Sequence, residues 1–298
     1  MKSYQVCFML IAGLAFVMSL VLTSGLALAQ SAGFYKTKIG NLDVTAISDA
    51  TGQMGFDLLG GLEETQIKPE AVKAGSEGNS FPSFVNAFVV DLPSGKVLVD
   101  TGNGPAANLM KNLAAAGIAP EDIKVVLLTH YHGDHIRGLI DEAGKAAFPN
   151  ATVYGSIAED KYWLGSENRG EEAQKCLSPY ESSERYKLFS PGSEVLPGVQ
   201  VVELYGHTPG HVGFLFEGGD EDFLAWGDVV HIAYVQFKYP EATMRYDVDK
   251  SKGVEVRKRI FAQTAEKSLV VAGAHLPFPG IGRVTKSEGD SYDYKSID

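Results

Sequence analysis

Short apolar runs alternate along the chain with segments whose apolar positions have helical spacing. Residues 42–49 alternate between apolar and polar side chains, which predicts a half-buried strand. Two further apolar runs, 87–92 and 96–100, flank a Pro-Ser-Gly sequence and predict a β-hairpin. Residues 106–116 are rich in Ala and Leu and end before a glycine, which predicts a helix with a glycine cap.

The same alternation continues to residue 275. We expect strands at residues 123–128, 151–155, 200–204, 214–217, 222–226 and 268–272, and helices at residues 136–147, 157–164 and 252–267. Two intervals, 56–84 and 166–184, lack a clear period and are expected to be long irregular loops. Because strands and helices alternate throughout, the fold class expected is an α/β sandwich.

The first 29 residues have the pattern of a signal peptide. They carry one charge, Lys2, then an apolar core at 6–22, and they end in a small-residue Ala-Leu-Ala tripeptide. We expect cleavage after Ala29, leaving residues 30–298 as one periplasmic or secreted domain. The alternative is an uncleaved membrane anchor, because the apolar core is nearly long enough to span a bilayer.

The charge of the chain limits its partners. The net charge is −11, and removal of residues 1–29 would take it to −12 because Lys2 is the one charge lost. An acidic protein is a poor match for nucleic acid or for an anionic membrane surface, so neither is expected as a partner after cleavage. Cleavage would also remove Cys7 and leave Cys176 without an intramolecular disulfide, so the fold must depend on its hydrophobic core.

Three histidines and one aspartate lie within six consecutive positions directly after the apolar run 123–128. They are His130, His132, Asp134 and His135. Imidazole and carboxylate ligands suit a hydrolytic zinc ion that keeps a coordination position for water. The alternatives are a polar loop and a single structural site, but structural zinc usually recruits thiolates, and no cysteine is near.

The other four histidines, His207, His211, His231 and His275, each lie at or just beyond the end of an apolar, strand-like run. No histidine lies elsewhere in the chain. This distribution favours one shared site over scattered surface histidines.

Four sequence motifs together resemble the metallo-β-lactamase-fold hydrolase superfamily. They are HYHGDH at 130–135, GHTPGH at 206–211, Trp-Gly-Asp at 226–228 and Gly-Ala-His at 273–275. Segments 97–102, 234–237 and 278–282 are most similar to members related to methyl parathion hydrolase and to secreted lactonases and arylesterases. The resemblance implies a four-layer αβ/βα sandwich.

The resemblance also implies a dinuclear site for two zinc ions or other divalent metal ions. One zinc ion would take His130, His132 and His207, the other Asp134, His135 and His275, with Asp228 and a hydroxide bridging the two. Two cations lower the pKa of such a water and polarise the substrate oxygen. Asp134 would also transfer the proton between water and leaving group, while His211 is expected behind the ligands.

Four further positions carry expectations from the same resemblance. Asp100 should support the metal-binding loop by hydrogen bonding, and Trp163 either lines the pocket or packs in the core. Arg137 should point away from the metals or meet an acid such as Asp141. His231 replaces the tyrosine of acyl-homoserine-lactone lactonases and the apolar residue of methyl parathion hydrolase, so it either donates a hydrogen bond to the substrate oxygen or packs beneath the metals.

The expected reaction is hydrolysis of a small-molecule lactone, aryl ester or phosphotriester, and a homodimer is left open. The alternatives are a β-lactamase and a non-enzymatic metal-binding protein. Residues 275–278 offer no Lys or Arg for a β-lactam carboxylate, which weighs against the first. A redox enzyme is disfavoured because flavodiiron relatives replace one histidine ligand by a carboxylate, whereas all five histidines are present here.

Overall fold

The computed structural model describes residues 33–76, 78–165 and 170–297. Residues 1–29 lie outside these ranges, so the predictions of a signal peptide, of its cleavage and of the alternative anchor all fall outside the described residues. None of the helices in the described ranges has the length and apolar character needed to cross a bilayer.

Seven strands form the first sheet. In chain order they are β1 (Phe34–Ile39), β2 (Leu42–Gly55), β4 (Ser80–Leu92), β5 (Gly95–Val99), β6 (Ile123–Leu127), β7 (Thr152–Ser156) and β8 (Tyr186–Phe189). The pairs β1–β2, β2–β4 and β4–β5 are antiparallel, and the predicted hairpin joins β4 to β5. The pairs β5–β6, β6–β7 and β7–β8 are parallel. A separate ribbon pairs β3 (Leu59–Gly60) with β13 (Thr243–Met244).

Seven strands also form the second sheet. They are β9 (Glu194–Leu196), β10 (Val199–Glu203), β11 (Val212–Phe216), β12 (Phe223–Ala225), β14 (Val270–Ala272), β15 (Ile281–Lys286) and β16 (Tyr292–Ser296). Their spatial order is β16-β15-β14-β12-β11-β10-β9. Strands β12 and β14 run parallel, and the other neighbours are antiparallel.

The sheets pack face to face, with helices on their outer faces. The helices are α1 (Glu64–Lys73), α2 (Leu109–Ala115), α3 (Gly133–Ile136), α4 (Ile157–Trp163), α5 (Glu171–Glu181), α6 (Ala233–Gln236) and α7 (Lys250–Lys267). Phe88 of the first sheet meets Phe223 of the second between the sheets. Helices α2 and α5 cover the first sheet, and α7 covers the second. The predicted four-layer α/β sandwich is confirmed.

The prediction of a helix at 136–147 is wrong. Helix α3 ends at Ile136, and a 3-10 turn at Arg137–Leu139 leads into a bridge between Ile140 and Ala146. Gly138 lets this turn pass close to the loop after β5, because a Cβ there would lie 1.9 Å from the carbonyl oxygen of Thr101.

The two intervals expected to be loops contain helices. Residues 56–84 hold α1, the strand β3 and the start of β4. In 166–184, where 166–169 lie outside the described residues, α5 runs from Glu171 to Glu181. Its buried side chains are Ala173, Cys176, Leu177 and Tyr180. They recur with helical period, and the polar composition of the other face had obscured this pattern.

The strand ends bring the predicted site residues to one edge of the sandwich. Strand β6 of the first sheet ends shortly before His130. In the second sheet, β12 ends shortly before Asp228, β14 shortly before His275, and β10 four residues before His207. Side chains from both sheets therefore converge between the two layers.

A buried arginine supports the segment that follows Asp228. Arg257 of α7 is 2% exposed, and its guanidinium donates to the carbonyl oxygens of Val229, Pro240 and Ala242 at 2.8, 3.1 and 2.5 Å. Burial lowers the pKa of this guanidinium to about 10, so it stays protonated at neutral pH. One cation therefore fixes both ends of residues 229–242.

We predict that Arg257→Met lowers the free energy of unfolding by about 3 kcal/mol, because three buried carbonyls lose their donor. Urea denaturation measures this change. The exposed neighbour on the same helix, Lys258→Met, serves as the control and should change the free energy by less than about 0.5 kcal/mol. Equal effects of the two substitutions would contradict the role assigned to Arg257.

Candidate metal centre

Three histidines from the two sheets form the first cluster. The Nδ1 atom of His132 lies 3.0 Å from Nε2 of His130 and 2.9 Å from Nε2 of His207. Asp228 completes the group, with Oδ2 at 3.3 Å from the His207 nitrogen. His130 and His132 come from the loop after β6, and His207 comes from the loop after β10.

The second cluster consists of Asp134, His135 and His275. The Oδ2 atom of Asp134 lies 3.8 Å from Nε2 of His135 and 3.5 Å from Nε2 of His275. Asp228 also borders this cluster, because its Oδ1 lies 3.2 Å from the His135 nitrogen and its Oδ2 lies 3.1 Å from the His275 nitrogen. One carboxylate thus stands between the two clusters.

The atoms that face inward fit two divalent cations. Nε2 of His135 and Oδ1 of Asp228 are buried and lie 3.2 Å apart, but within the described ranges neither makes a contact with hydrogen-bond geometry. A buried nitrogen and oxygen without partners are costly unless a further group satisfies them. Imidazole nitrogens and carboxylate oxygens are ligands that zinc prefers. The residues present can therefore hold one cation in each cluster, with Asp228 shared.

Asp100 fixes the segment after β6 that carries four of these side chains. Its Oδ1 accepts the backbone N–H of Thr129, and its Oδ2 accepts the Thr129 hydroxyl, each at 2.8 Å. Oδ2 also lies 2.8 Å from Nδ1 of His135, which leaves Nε2 of that ring facing the second cluster. Asp100 takes a left-handed backbone conformation with φ of 59°. These contacts are the supporting hydrogen bonds expected from the sequence.

Two other histidines of the clusters are oriented in the same way. Nδ1 of His207 lies 3.0 Å from Oδ1 of Asp247, and Nδ1 of His275 lies 2.6 Å from the carbonyl oxygen of Phe84. Burial raises the pKa of Asp247, but the His207 hydrogen bond, the nearby His231 and His207 rings and the backbone N–H of Met244 together outweigh burial and lower the pKa to about 2. Asp247 is therefore an acceptor that fixes the orientation of the His207 ring.

His211 lies behind the clusters, as expected. Its Nδ1 donates to the carbonyl oxygen of Leu204 at 3.0 Å, and its Nε2 accepts the backbone N–H of Asp228 at 3.1 Å. Burial, together with the neighbouring His207, lowers the pKa of His211 to about 3, so the ring is neutral. This neutral ring positions the backbone of Asp228.

His231 lies against the second cluster and is 2% exposed. Its ring stacks on His275 at a centroid distance of 5.0 Å, and its Nε2 lies 3.2 Å from Oδ2 of Asp228. Neither ring nitrogen has a hydrogen-bond partner among the residues that the structure describes. Tyr246, which is 46% exposed, lies 6.3 Å from the His231 ring on the solvent side.

Trp163 and Arg137 lie on either side of the loop after β6. The half-buried Trp163 ring stands edge-on to His132 at 5.5 Å and also contacts the core, so it packs and borders the site at once. Arg137 pairs with Glu172 of α5 at 2.6 Å. Arg137 thus meets an acid, as expected, but the acid is Glu172 and not Asp141, because the Asp141 carboxylate accepts backbone N–H groups of its own turn.

Two acidic residues that border the clusters, Asp247 and Glu159, were not predicted from the sequence. Asp247 lies 40 residues from its partner His207 in the chain. Glu159 lies 28 residues from Tyr131, whose backbone N–H it accepts. No local motif marks either residue, and only the folded arrangement of loops brings them to the site.

A two-sheet sandwich with a histidine and aspartate cluster at this edge defines a metal-dependent hydrolase fold. Residues 81–275 match the family model described as the metallo-beta-lactamase superfamily. The match covers more than half of the chain, and the chain therefore belongs to this superfamily. The resemblance inferred from the four sequence motifs is confirmed.

Known proteins similar to the chain are hydrolases. An N-acyl homoserine lactonase of Bacillus cereus is 28% identical over 164 residues, which cover 47% of this chain and 61% of the lactonase. The chain thus spans about three fifths of that relative. The solved hydrolase AbOPH is 33% identical with a TM-score of 0.85, covering 89% of this chain and 98% of AbOPH.

A third relative shows the fold alone. The dizinc quorum-quenching lactonase AidC, solved with the product N-hexnoyl-L-homoserine, is 22% identical with a TM-score of 0.78. The alignment covers 89% of this chain and 98% of AidC.

We predict that Asp100→Asn weakens zinc binding by about 10- to 100-fold, because the amide cannot accept from both Thr129 and His135. Asparagine tolerates a left-handed backbone, so the loop should keep its path. Competition with a chromophoric chelator measures the affinity, with the exposed Asp43→Asn on β2 as the control. Unchanged zinc affinity in the Asp100 variant would show that this carboxylate does not support the site.

Proposed function

We propose that the protein is a periplasmic or secreted dinuclear-zinc hydrolase that acts on lactones, aryl esters or phosphotriesters. The observation that carries this proposal is the pair of clusters sharing Asp228, because a single structural metal would need only one of them. One zinc ion is assigned to His130, His132 and His207. The other is assigned to Asp134, His135 and His275.

When bound, two divalent cations supply an activated water and polarise the carbonyl or phosphoryl oxygen of a substrate. The side chains of the chain orient the reactants and handle the proton. Asp134 is suited to proton transfer because its side chain is 28% exposed, whereas that of Asp228 is 2% exposed. Its carboxylate takes the proton of the attacking water and returns it to the leaving oxygen.

His231 is assigned to the substrate oxygen. Its Nδ1 is buried without a hydrogen-bond partner in the described ranges, whereas its Nε2 lies 3.2 Å from Oδ2 of Asp228. The Nδ1–H is therefore the donor that we assign to a bound ligand. Such a fixed donor stabilises negative charge on the oxygen as the transition state forms. Tyr246 borders His231 and Trp163 borders His132, and these aromatic rings favour a substrate with an apolar or aromatic portion.

The relatives support the lactone end of this range. One is named an N-acyl homoserine lactonase and another AidC, a quorum-quenching lactonase. The expected partner is thus a small molecule, and the net charge of −11 argues against nucleic acid. A β-lactamase is less favoured because residues 275–278 carry no Lys or Arg for the substrate carboxylate.

A substrate panel tests the proposed function. We expect the zinc-loaded protein to hydrolyse an acyl-homoserine lactone or an aryl ester, and the chelator-treated protein to lose this activity until zinc is restored. A phosphotriester and a cephalosporin are assayed beside them. Hydrolysis of the cephalosporin alone, or of none of the four compounds, would overturn the assignment.

We predict that His231→Leu retains both zinc ions but lowers lactone or ester hydrolysis about a hundredfold, because one oxygen-stabilising donor is lost. Activity on the phosphotriester should rise relative to the ester, since an apolar residue replaces the ring. His231→Gln, which keeps an N–H donor, is the matched control and should retain more ester activity than leucine. If the leucine variant keeps full rates with zinc bound, His231 has no role in the reaction.

A further inference from the structure

Glu159 is a fully buried carboxylate beside the first cluster. It lies in the first turn of α4, is 0% exposed and forms no ion pair with Lys or Arg in the part of the chain described. Burial raises its pKa, and hydrogen bonds from several donors oppose that shift. A buried carboxylate costs free energy unless hydrogen bonds compensate it, so the donors around Glu159 indicate a specific role for this side chain.

The two carboxylate oxygens of Glu159 accept three hydrogen bonds from three different segments of the chain. Oε2 accepts the backbone N–H of Tyr131 at 3.0 Å and the indole N–H of Trp163 at 2.7 Å. Oε1 accepts the backbone N–H of Gly210 at 2.7 Å. Loops from both sheets therefore meet on one carboxylate.

The two backbone donors lie inside the loops that carry the first cluster. Tyr131 stands between His130 and His132, and Gly210 lies three residues after His207. The loop containing Gly210 touches the start of α4, since a Cβ on this glycine would lie 2.3 Å from the backbone nitrogen of Glu159. A shift of Glu159 would thus move one histidine loop relative to the other.

The second cluster has different supports. His135 is oriented by Asp100, and His275 is oriented by the carbonyl oxygen of Phe84. Neither of these partners is hydrogen-bonded to Glu159. Asp228 is common to both clusters, but the backbone donors to Glu159 lie in the loops that carry the three histidines of the first cluster.

We infer that Glu159 is a positioning residue that sets the separation of His132 from His207 and so controls metal affinity at the first cluster alone. The inference rests on the proposed dinuclear function. Groups that orient metal ligands from the outer layer typically change metal affinity about 10- to 100-fold when replaced. Glutamine at this position has one acceptor oxygen, and its NH2 group would face a donor that the carboxylate now accepts.

The test isolates each cluster in turn. His275→Ala disables the second cluster and leaves the first, whereas His132→Ala does the reverse. Zinc affinity is then measured by chelator competition, with and without Glu159→Gln, in each of these backgrounds. We expect Glu159→Gln to weaken zinc binding about 10- to 100-fold in the His275→Ala background and to leave it within about threefold in the His132→Ala background.

Two further variants complete the design. Glu255→Gln, an exposed glutamate on α7, is the control and should alter neither affinity. If Glu159→Gln does not fold, Glu159→Asp keeps the charge but is too short to reach all three donors, and it should show the same selective loss. Equal weakening of both clusters, or no weakening of the first, would overturn the inference.

The possible failures are distinguishable. A parent protein that binds no zinc overturns the proposed function and the inference with it. A parent that binds two zinc ions, combined with no selective effect of Glu159→Gln or Glu159→Asp, overturns the assignment of Glu159 alone.

Discussion

The rest of the structure depends on the burial of one carboxylate, Asp228, between the two sheets. This side chain is 2% exposed and forms no ion pair with Lys or Arg within the described residues. A buried charge without compensation costs several kcal/mol, about enough to offset the stability of a domain. Its neighbours instead are five imidazole rings, with nitrogens within 3.6 Å of its oxygens: His130, His135, His207, His231 and His275.

The loops around Asp228 are packed closely against one another and are fixed by hydrogen bonds. Gly227 precedes Asp228 with φ of 55°, and a Cβ there would lie 2.6 Å from Nε2 of His211. A side chain at position 227 would displace the ring that holds the Asp228 backbone. Asp100 and Asp247 in turn fix rings of the two clusters from outside. The same contacts therefore stabilise the fold and set the positions of the metal-binding side chains.

Much of the fold and the site could be predicted because the chemistry is concentrated at strand ends. The spacing of His130, His132 and Asp134 directly after an apolar run indicated a metal site by itself. Helix α5 was missed because its polar face dominates its composition. Glu159 and Asp247 were missed for a different reason: their partners are distant in the chain, and only tertiary packing brings them together. Local patterns predict elements and ligands, but not the contacts that orient the ligands.

Anomalous diffraction at the zinc absorption edge, on crystals of the protein reconstituted with excess zinc, can show directly whether Asp228 lies between two zinc ions. We expect two peaks that share Asp228 as a neighbour. One should lie among His130, His132 and His207, and the other among Asp134, His135 and His275. A single peak, or none, at full zinc loading would contradict the dinuclear centre.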